Sequence, residues 1–212
     1  MKLLSILILI LTLFIHNSYA DNNLEFENWK KTFKAVALKN NISENTFNLV
    51  MSDVKFLPKV IEYDRYQPEF YEDTKTYISK RSSDKKVKKG VIFYKDQFEL
   101  INKVEKKFDV EKELLLALMG IETNFGTYVG KMDILSSLAT LSFDQRRSKF
   151  FTNELLILLR LIDKDIVEKD ILFGSWAGAF GYFQFMPSTI KNYAIDYNKD
   201  NYIDLKLSLI HI

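Results

Sequence analysis

Glu122 is the residue of this sequence best placed to do chemistry. Leu115, Leu118 and Glu122 are spaced three and four apart, which puts the three on one helix face. A carboxyl on an otherwise apolar face is desolvated, and the C-terminal end of a helix adds negative partial charge. Both effects favour the protonated acid. A carboxylic acid held protonated near neutrality can give its proton to a leaving group. Periodicity alone also allows an ordinary helix-end glutamate turned to solvent. A second candidate is the stretch from Gly174 to Pro187, rich in glycine, alanine and aromatic residues. Small residues let a ligand approach the backbone, aromatic faces suit sugar rings, and Ser175 and Gln184 supply directed hydrogen bonds. The same composition suits a tight packing turn inside an all-helical core. A third candidate is Asp196, Asn198, Asp200, the Tyr202 carbonyl and Asp204, which fall on positions 1, 3, 5, 7 and 9 of an EF-hand-type loop. Asn201 stands at position 6, where glycine is usual, and Leu207 at position 12, where a bidentate acid is usual. A polar turn with solvated carboxylates would have the same composition.

Absent residue types narrow the choice. The chain has no cysteine and two histidines, His16 near the N-terminus and His211 beside the last residue. Thiolate chemistry, disulfide scaffolds, Ser–His triads, HExxH zinc sites and internal histidine bases are therefore set aside. Catalysis falls to carboxylates, tyrosine, lysine or an oxygen-ligated cation. With 30 basic and 28 acidic residues the charge is nearly balanced, which does not point to nucleic acid.

These groups need helices to position them. Scarce glycine and proline, 7 and 3 in 212 residues, favour a mainly α fold over many short strands. Phe26, Trp29, Phe33, Val36 and Ala37 predict an amphipathic helix over 24–39. Ser43 is placed to cap a second helix carrying Phe47 and Val50. Residues 56–70 read as a connector with short helical turns, and 71–80 as a helix. Residues 84–107 read as one long surface helix with a single apolar stripe. Its cluster Lys85, Lys86, Lys88 and Lys89 reads as a solvated helix start rather than an anion site. Asp109 is expected to cap a helix over 110–122 that Gly126 terminates. Helices over 132–141 and 148–164 follow, with Pro187 in the first turn of the last one.

Several of these segments resemble the B-type lytic murein transglycosylases of glycoside hydrolase family 103. Gly120-Ile121-Glu122-Thr123-Asn124-Phe125-Gly126 is similar to the catalytic motif of that family, and Leu135 to Phe143 to the segment that follows it. Arg146-Arg147, Phe150-Phe151 and Glu154-Leu155 continue the match. Gly174 to Ser188 is similar to its glycine–aromatic loop, and Asp64-Arg65-Tyr66-Gln67-Pro68-Glu69-Phe70 to an upstream signature. The resemblance implies a mainly α, lysozyme-like catalytic domain with an N-terminal helical portion. The expected layout is a signal peptide over 1–20, the helical portion over 21–108 and the catalytic core over 109–212. By the same resemblance Glu122 matches the single catalytic acid/base, and Ser175 and Gln184 match residues that contact the glycan near the scissile bond. Phe185 and Met186 match the cleft wall, Arg146 and Arg147 a basic pair in the peptide-binding part of the groove, and Tyr77 a cleft tyrosine.

The implied reaction cleaves the MurNAc–GlcNAc bond of peptidoglycan and leaves a 1,6-anhydromuramoyl end, with no cofactor required. Glycosidases usually need two carboxylates; ring closure by the sugar's own C6 hydroxyl needs one. A plain hydrolase should need a second carboxylate, for which Asp133 and Asp144 are the nearest candidates. Two further readings are a module that grips peptidoglycan without cutting it and a calcium-binding structural protein. The family carries a calcium loop at 196–207, so a weak structural calcium ion is expected there. Lys2, the apolar run to Ile15 and Ser18-Tyr19-Ala20 have the layout of a cleaved signal peptide, with no lipidation cysteine. The expected product is periplasmic and not an integral membrane protein. The resemblance dissolves after about Leu205, so the chain reads as shortened at its C-terminus relative to the family.

Overall fold

The computed structural model describes residues 22–67, 70–169, 172–197 and 203. Residues 22–39 form α1. Phe26, Phe33 and Ala37 on it are buried, and the Trp29 ring stacks with Phe26 and Phe33 at 5.4 and 5.0 Å. Helix α2 (Glu44–Met51) begins where expected: the Ser43 hydroxyl accepts the Thr46 N–H, satisfying one of the free donors of the first turn. Helix α3 (Pro58–Arg65) is a full eight-residue helix within the expected connector, started by Pro58 in its first turn. Helix α4 (Thr74–Arg81) is capped by Asp73.

The single long helix expected over 84–107 is two, α5 (Asp84–Asp96) and α6 (Phe98–Phe108), broken at Gln97. The break lets both pieces lie against α7 (Lys112–Thr123). A straight helix of that length would run about 36 Å and meet the shorter α7 over only part of its course. Asp109 does not cap α7. It ends α6 in the left-handed conformation, φ 53°, which Asp tolerates better than most residues. At the start of α7 the Lys112 N–H is met instead by the Glu105 carboxylate at 3.2 Å.

Helix α8 (Ile134–Phe143) is almost wholly buried and is capped by Asp133, which accepts the Ser136 N–H at 2.6 Å. Helix α9 (Ser148–Asp163) packs along it, and α10 (Pro187–Tyr193) lies on α9. At that contact the buried Glu154 carboxylate accepts the Ser188 N–H at 2.8 Å. Two short strands, β1 (Met132–Asp133) and β2 (Phe173–Gly174), pair antiparallel with Met132 opposite Gly174.

The main core joins α1–α3 to α8–α10 through residues such as Phe26, Val60, Leu138, Phe151, Leu158 and Ile190. A separate small cluster, Met119, Phe125 and Phe183, ties α7 to the loop before α10. Among the described residues no helix is long and apolar enough to cross a membrane.

Candidate active site

Glu122 is the penultimate residue of α7. It lines a cavity of about 270 Å³ with Tyr63 from α3, the segment Tyr128, Gly130, Lys131 and Met132, and Gly174, Ser175, Trp176 and Gln184 from the loop before α10. The apolar face expected around it is only partly buried, with Leu115 half-buried and Leu118 exposed. The Glu122 side chain is open to solvent on one side, and the cavity wall crowds it on the other. Burial of that inner side pushes its carboxyl above the ordinary carboxylate range.

The chain turns sharply after Glu122. Asn124, Phe125 and Gly126 all take positive φ, at 51°, 59° and 72°. A phenylalanine in this region is strained and persists only when its surroundings fix it. Here they do. The Phe125 ring fits between Gly90 of α5 and Gly120 of α7, where a Cβ on either glycine would come within 2.8 Å of Cζ. Lys89, the neighbour of Gly90, donates to the Asn124 carbonyl at 2.7 Å and to the Thr127 hydroxyl at 2.8 Å. Lys89 is therefore not one more solvated lysine of its cluster; it closes the end of the acid-bearing helix.

The glycine–aromatic loop is fixed at three places. Its start is held by the β1–β2 pair. Its middle is a tight turn closed by Phe180 and Phe185, which exchange both backbone hydrogen bonds, with Gly181 and Gln184 at positive φ. Its end is held by Glu154 on Ser188. The Ser175 hydroxyl accepts the Ala179 N–H at 3.1 Å, so its own hydrogen remains to donate. The Gln184 amide nitrogen donates to the Val129 and Gly181 carbonyls at 3.1 and 2.9 Å. With both amide hydrogens placed, the group it offers a ligand is its oxygen. The cavity thus sets one acid beside one hydroxyl donor and one amide acceptor.

The other expected site residues do not line this cavity. Phe185 stacks on Phe183 at 5.9 Å and Met186 precedes α10; both pack against the core behind the loop. Tyr77 lies on α4 under the Arg81 guanidinium, 3.5 Å from its ring centre. Arg146 and Arg147 converge on the buried Asp64 carboxylate: Arg146 donates to Oδ2 at 2.6 Å and also to the Asp64 carbonyl, and Arg147 to Oδ1. Their free sides, with Gln145, Lys149, Phe150 and Asn153, border an open depression. Helix α3 connects the two places, since Tyr63 reaches the Glu122 cavity and the next residue holds both arginines. Asp196 is described; Asn198, Asp200, Tyr202 and Asp204 lie outside the described residues.

Asp133 and Asp144, the candidate second carboxylates, are engaged elsewhere. Asp133 caps α8, and Asp144 pairs with Arg65 at 2.8 Å. Among the described residues lining the cavity, Glu122 is the only carboxylate. Sequence reasoning did not single out Tyr63, Tyr128, Gly130, Lys131 or Met132.

A family model described as Transglycosylase SLT domain matches residues 25–209. The chain belongs to the SLT transglycosylase family. The membrane-bound lytic murein transglycosylase B of Escherichia coli (strain K12) is 38% identical over 130 residues, 61% of this chain and 36% of that protein. SltB3 from Pseudomonas aeruginosa, solved in complex with NAG-NAM-pentapeptide and with NAG-anhNAM-pentapeptide, superposes with a TM-score of 0.81 at 32% identity. That match covers 86% of this chain and 49% of SltB3. The Escherichia coli lytic transglycosylase Slt35 in complex with calcium gives a TM-score of 0.72 at 32% identity, covering 83% of this chain and 57% of Slt35. The SLT chain thus has the lysozyme-like lytic transglycosylase fold, and spans about half the length of the solved relatives it matches.

Proposed function

We propose that this protein is a peptidoglycan lytic transglycosylase, cleaving the MurNAc–GlcNAc bond with formation of a 1,6-anhydromuramoyl end. The observation that carries the reading is the solitary acid: among the described residues, Glu122 is the one carboxylate in a cavity lined by aromatic and polar groups, and its pKa is raised. Glu122 protonates the bridging oxygen as the glycosidic C–O bond breaks, and the GlcNAc side leaves as an alcohol. The positive charge on the muramic acid ring is met by that sugar's own N-acetyl oxygen. Glu122, now a carboxylate, removes the C6 hydroxyl proton, and that oxygen closes onto C1. The acid ends as it began, and no water is consumed. The tethered C6 hydroxyl outcompetes water because its approach is already intramolecular. The Ser175 hydroxyl and the Gln184 oxygen, one donor and one acceptor, suit the carbonyl and the N–H of an N-acetyl group. Arg146 and Arg147 present their free sides to carboxylates of the stem peptide. Phe185 and Met186 back the loop that carries Gln184, and Tyr77 borders a more distant part of the groove. The catalytic core is assigned to residues 109–212 and the N-terminal helical portion to 21–108, from which Tyr63 reaches the cavity. That SltB3 was solved with both a NAM and an anhNAM fragment supports the reaction.

We further propose export to the periplasm with removal of residues 1–20. One preparation tests both statements. Protein recovered from a periplasmic extract is expected to begin at Asp21 and, applied to isolated sacculi, to release anhydro-muropeptides seen by mass spectrometry. Reducing ends would show a hydrolase, and binding without release would show a peptidoglycan-gripping module. Recovery of membrane-embedded protein that still begins at Met1 would overturn export.

Residues 196–204 are proposed to hold a weak structural calcium ion with no part in the proton transfers. Four side-chain oxygen donors and one carbonyl at alternate positions suit a hard cation, although Leu207 withholds the bidentate acid. Calorimetry is expected to give a millimolar or tighter calcium signal that is lost in Asp200→Ala; no signal in the wild type rules the site out.

A further inference from the structure

Thr123, the residue after the acid, is 1% exposed. Its hydroxyl donates to the Tyr182 carbonyl at 2.8 Å and accepts the Gly126 N–H at 3.0 Å. The Met119 carbonyl, one turn back, lies farther away at 3.3 Å. A hydroxyl has one hydrogen, and the shorter contact takes it. Three pieces of chain therefore meet on one oxygen: the end of α7, the left-handed turn after it, and the tight turn of the glycine–aromatic loop, 59 residues away in sequence. Tyr182 is gripped a second time, because its ring lies against Gly126, where a Cβ would come within 2.6 Å of Cε1. Glu122 is one residue from this joint and Gln184 two residues from its other side.

We propose that the Thr123 hydroxyl is a positioning group. It sets the separation between the acid/base Glu122 and the loop that presents Gln184 and Ser175 to the glycan. The inference rests on the functional reading above and adds to it the group that holds the two halves of the cleft together. It also accounts for a threonine at this position. Valine has nearly the same shape and would pack equally well, but would leave the Tyr182 carbonyl and the Gly126 N–H without a partner.

The test compares wild type, Thr123→Val and Thr123→Ser, each shown to be folded by circular dichroism. Two readouts are used: kcat and KM on soluble peptidoglycan fragments, and titration of the Glu122 carboxyl by carbon-13 NMR. Thr123→Val is expected to lower kcat by roughly 100-fold, as for a small misplacement of reacting groups, with the larger share of the loss in kcat rather than KM. Its Glu122 should titrate at lower pH than in wild type, because a loosened loop no longer crowds the carboxyl. Thr123→Ser keeps the hydroxyl and should restore both. Where Thr123→Val does not fold, Thr123→Ala, with room for a water beside the Tyr182 carbonyl, is read in the same way. The proposal is overturned if the apolar variant keeps wild-type kcat and titration, or if Thr123→Ser is as impaired as Thr123→Val, which would point to methyl packing. If the wild type does not cleave, the transglycosylase reading fails while the Glu122 titrations still decide the role of Thr123.

Discussion

Glu122→Gln is expected to abolish release of anhydro-muropeptides while leaving the fold intact. The substitution keeps the size and hydrogen-bonding shape of the side chain and removes its carboxylic acid proton. Among the described residues no second carboxylate lines the cavity to take over, and Asp133 and Asp144 are held elsewhere. Loss of general acid–base catalysis typically costs about 10²- to 10⁴-fold. In the proposed reaction one group serves as both acid and base, so the loss should lie at the upper end. The stability effect has the opposite sign. Burial raises the folded-state pKa of Glu122 above its unfolded value. Its favourable contribution is therefore fully present below the unfolded pKa and is lost as pH rises through the folded one. Above the folded pKa the wild type carries an ionised carboxylate that the folded cavity disfavours. Glu122→Gln should accordingly melt no lower than wild type at alkaline pH, and lose that advantage in acid. Activity of the wild type should fall on the alkaline side as Glu122 loses its proton. Product analysis of the variant, melting curves at two pH values and a pH–rate profile of the wild type check these statements. Anhydro products from Glu122→Gln would sink the assignment.

Asp64→Asn is expected to be the most destabilising polar substitution, by about 3 kcal/mol, the low end for removing one partner of a buried ion pair. The low end applies because Arg146 and Arg147 keep part of their side chains in water, at 47% and 38% exposure, whereas Asp64 is at 1%. Two guanidinium groups converge on this carboxylate, and the Arg147 Nε is buried without a hydrogen-bond partner among the described residues. Asparagine would leave two positive charges side by side with no counter-charge. Such a loss is a large fraction of the stability of an ordinary domain, about 5–15 kcal/mol. Urea unfolding should show a lower midpoint at unchanged slope. A loss below about 1 kcal/mol, the size of an exposed pair, would mean that Asp64 does not hold the arginines.

The acid, the loop and most helices were legible in the sequence because each leaves a local mark. Glu122 interrupts an apolar period, Ser43 precedes an amphipathic run, and Pro187 opens a helix in its first turn. What escaped was set by partners distant in the chain. Gln97 is no helix breaker, and the split of α5 from α6 follows from both packing on α7. Lys89 sits in a run of lysines that composition cannot tell apart. The available signal was its neighbour: a glycine inside a helix is costly and marks close approach of another element, and Gly90 is where Phe125 enters. Tyr63, Tyr128 and Lys131 follow no apolar pattern, and only the meeting of α3 with the 128–132 segment brings them to the acid. The shared Asp64 also changes how Arg146 and Arg147 read. They are a structural clamp as well as a basic surface.

The small cluster of Met119, Phe125 and Phe183 has a mechanical consequence. Helices α8–α10 belong to the large core, whereas Met119 is the one apolar side chain of α7 that is fully buried, and it belongs to the small cluster. Elements with little buried apolar contact open at lower free energy than the rest of a protein. Amide hydrogen exchange should therefore be faster along α7 than along α8 and α9. In the proposed reaction the acid would then ride on the more readily opened of the two packing units, which meet at the loop carrying Gln184.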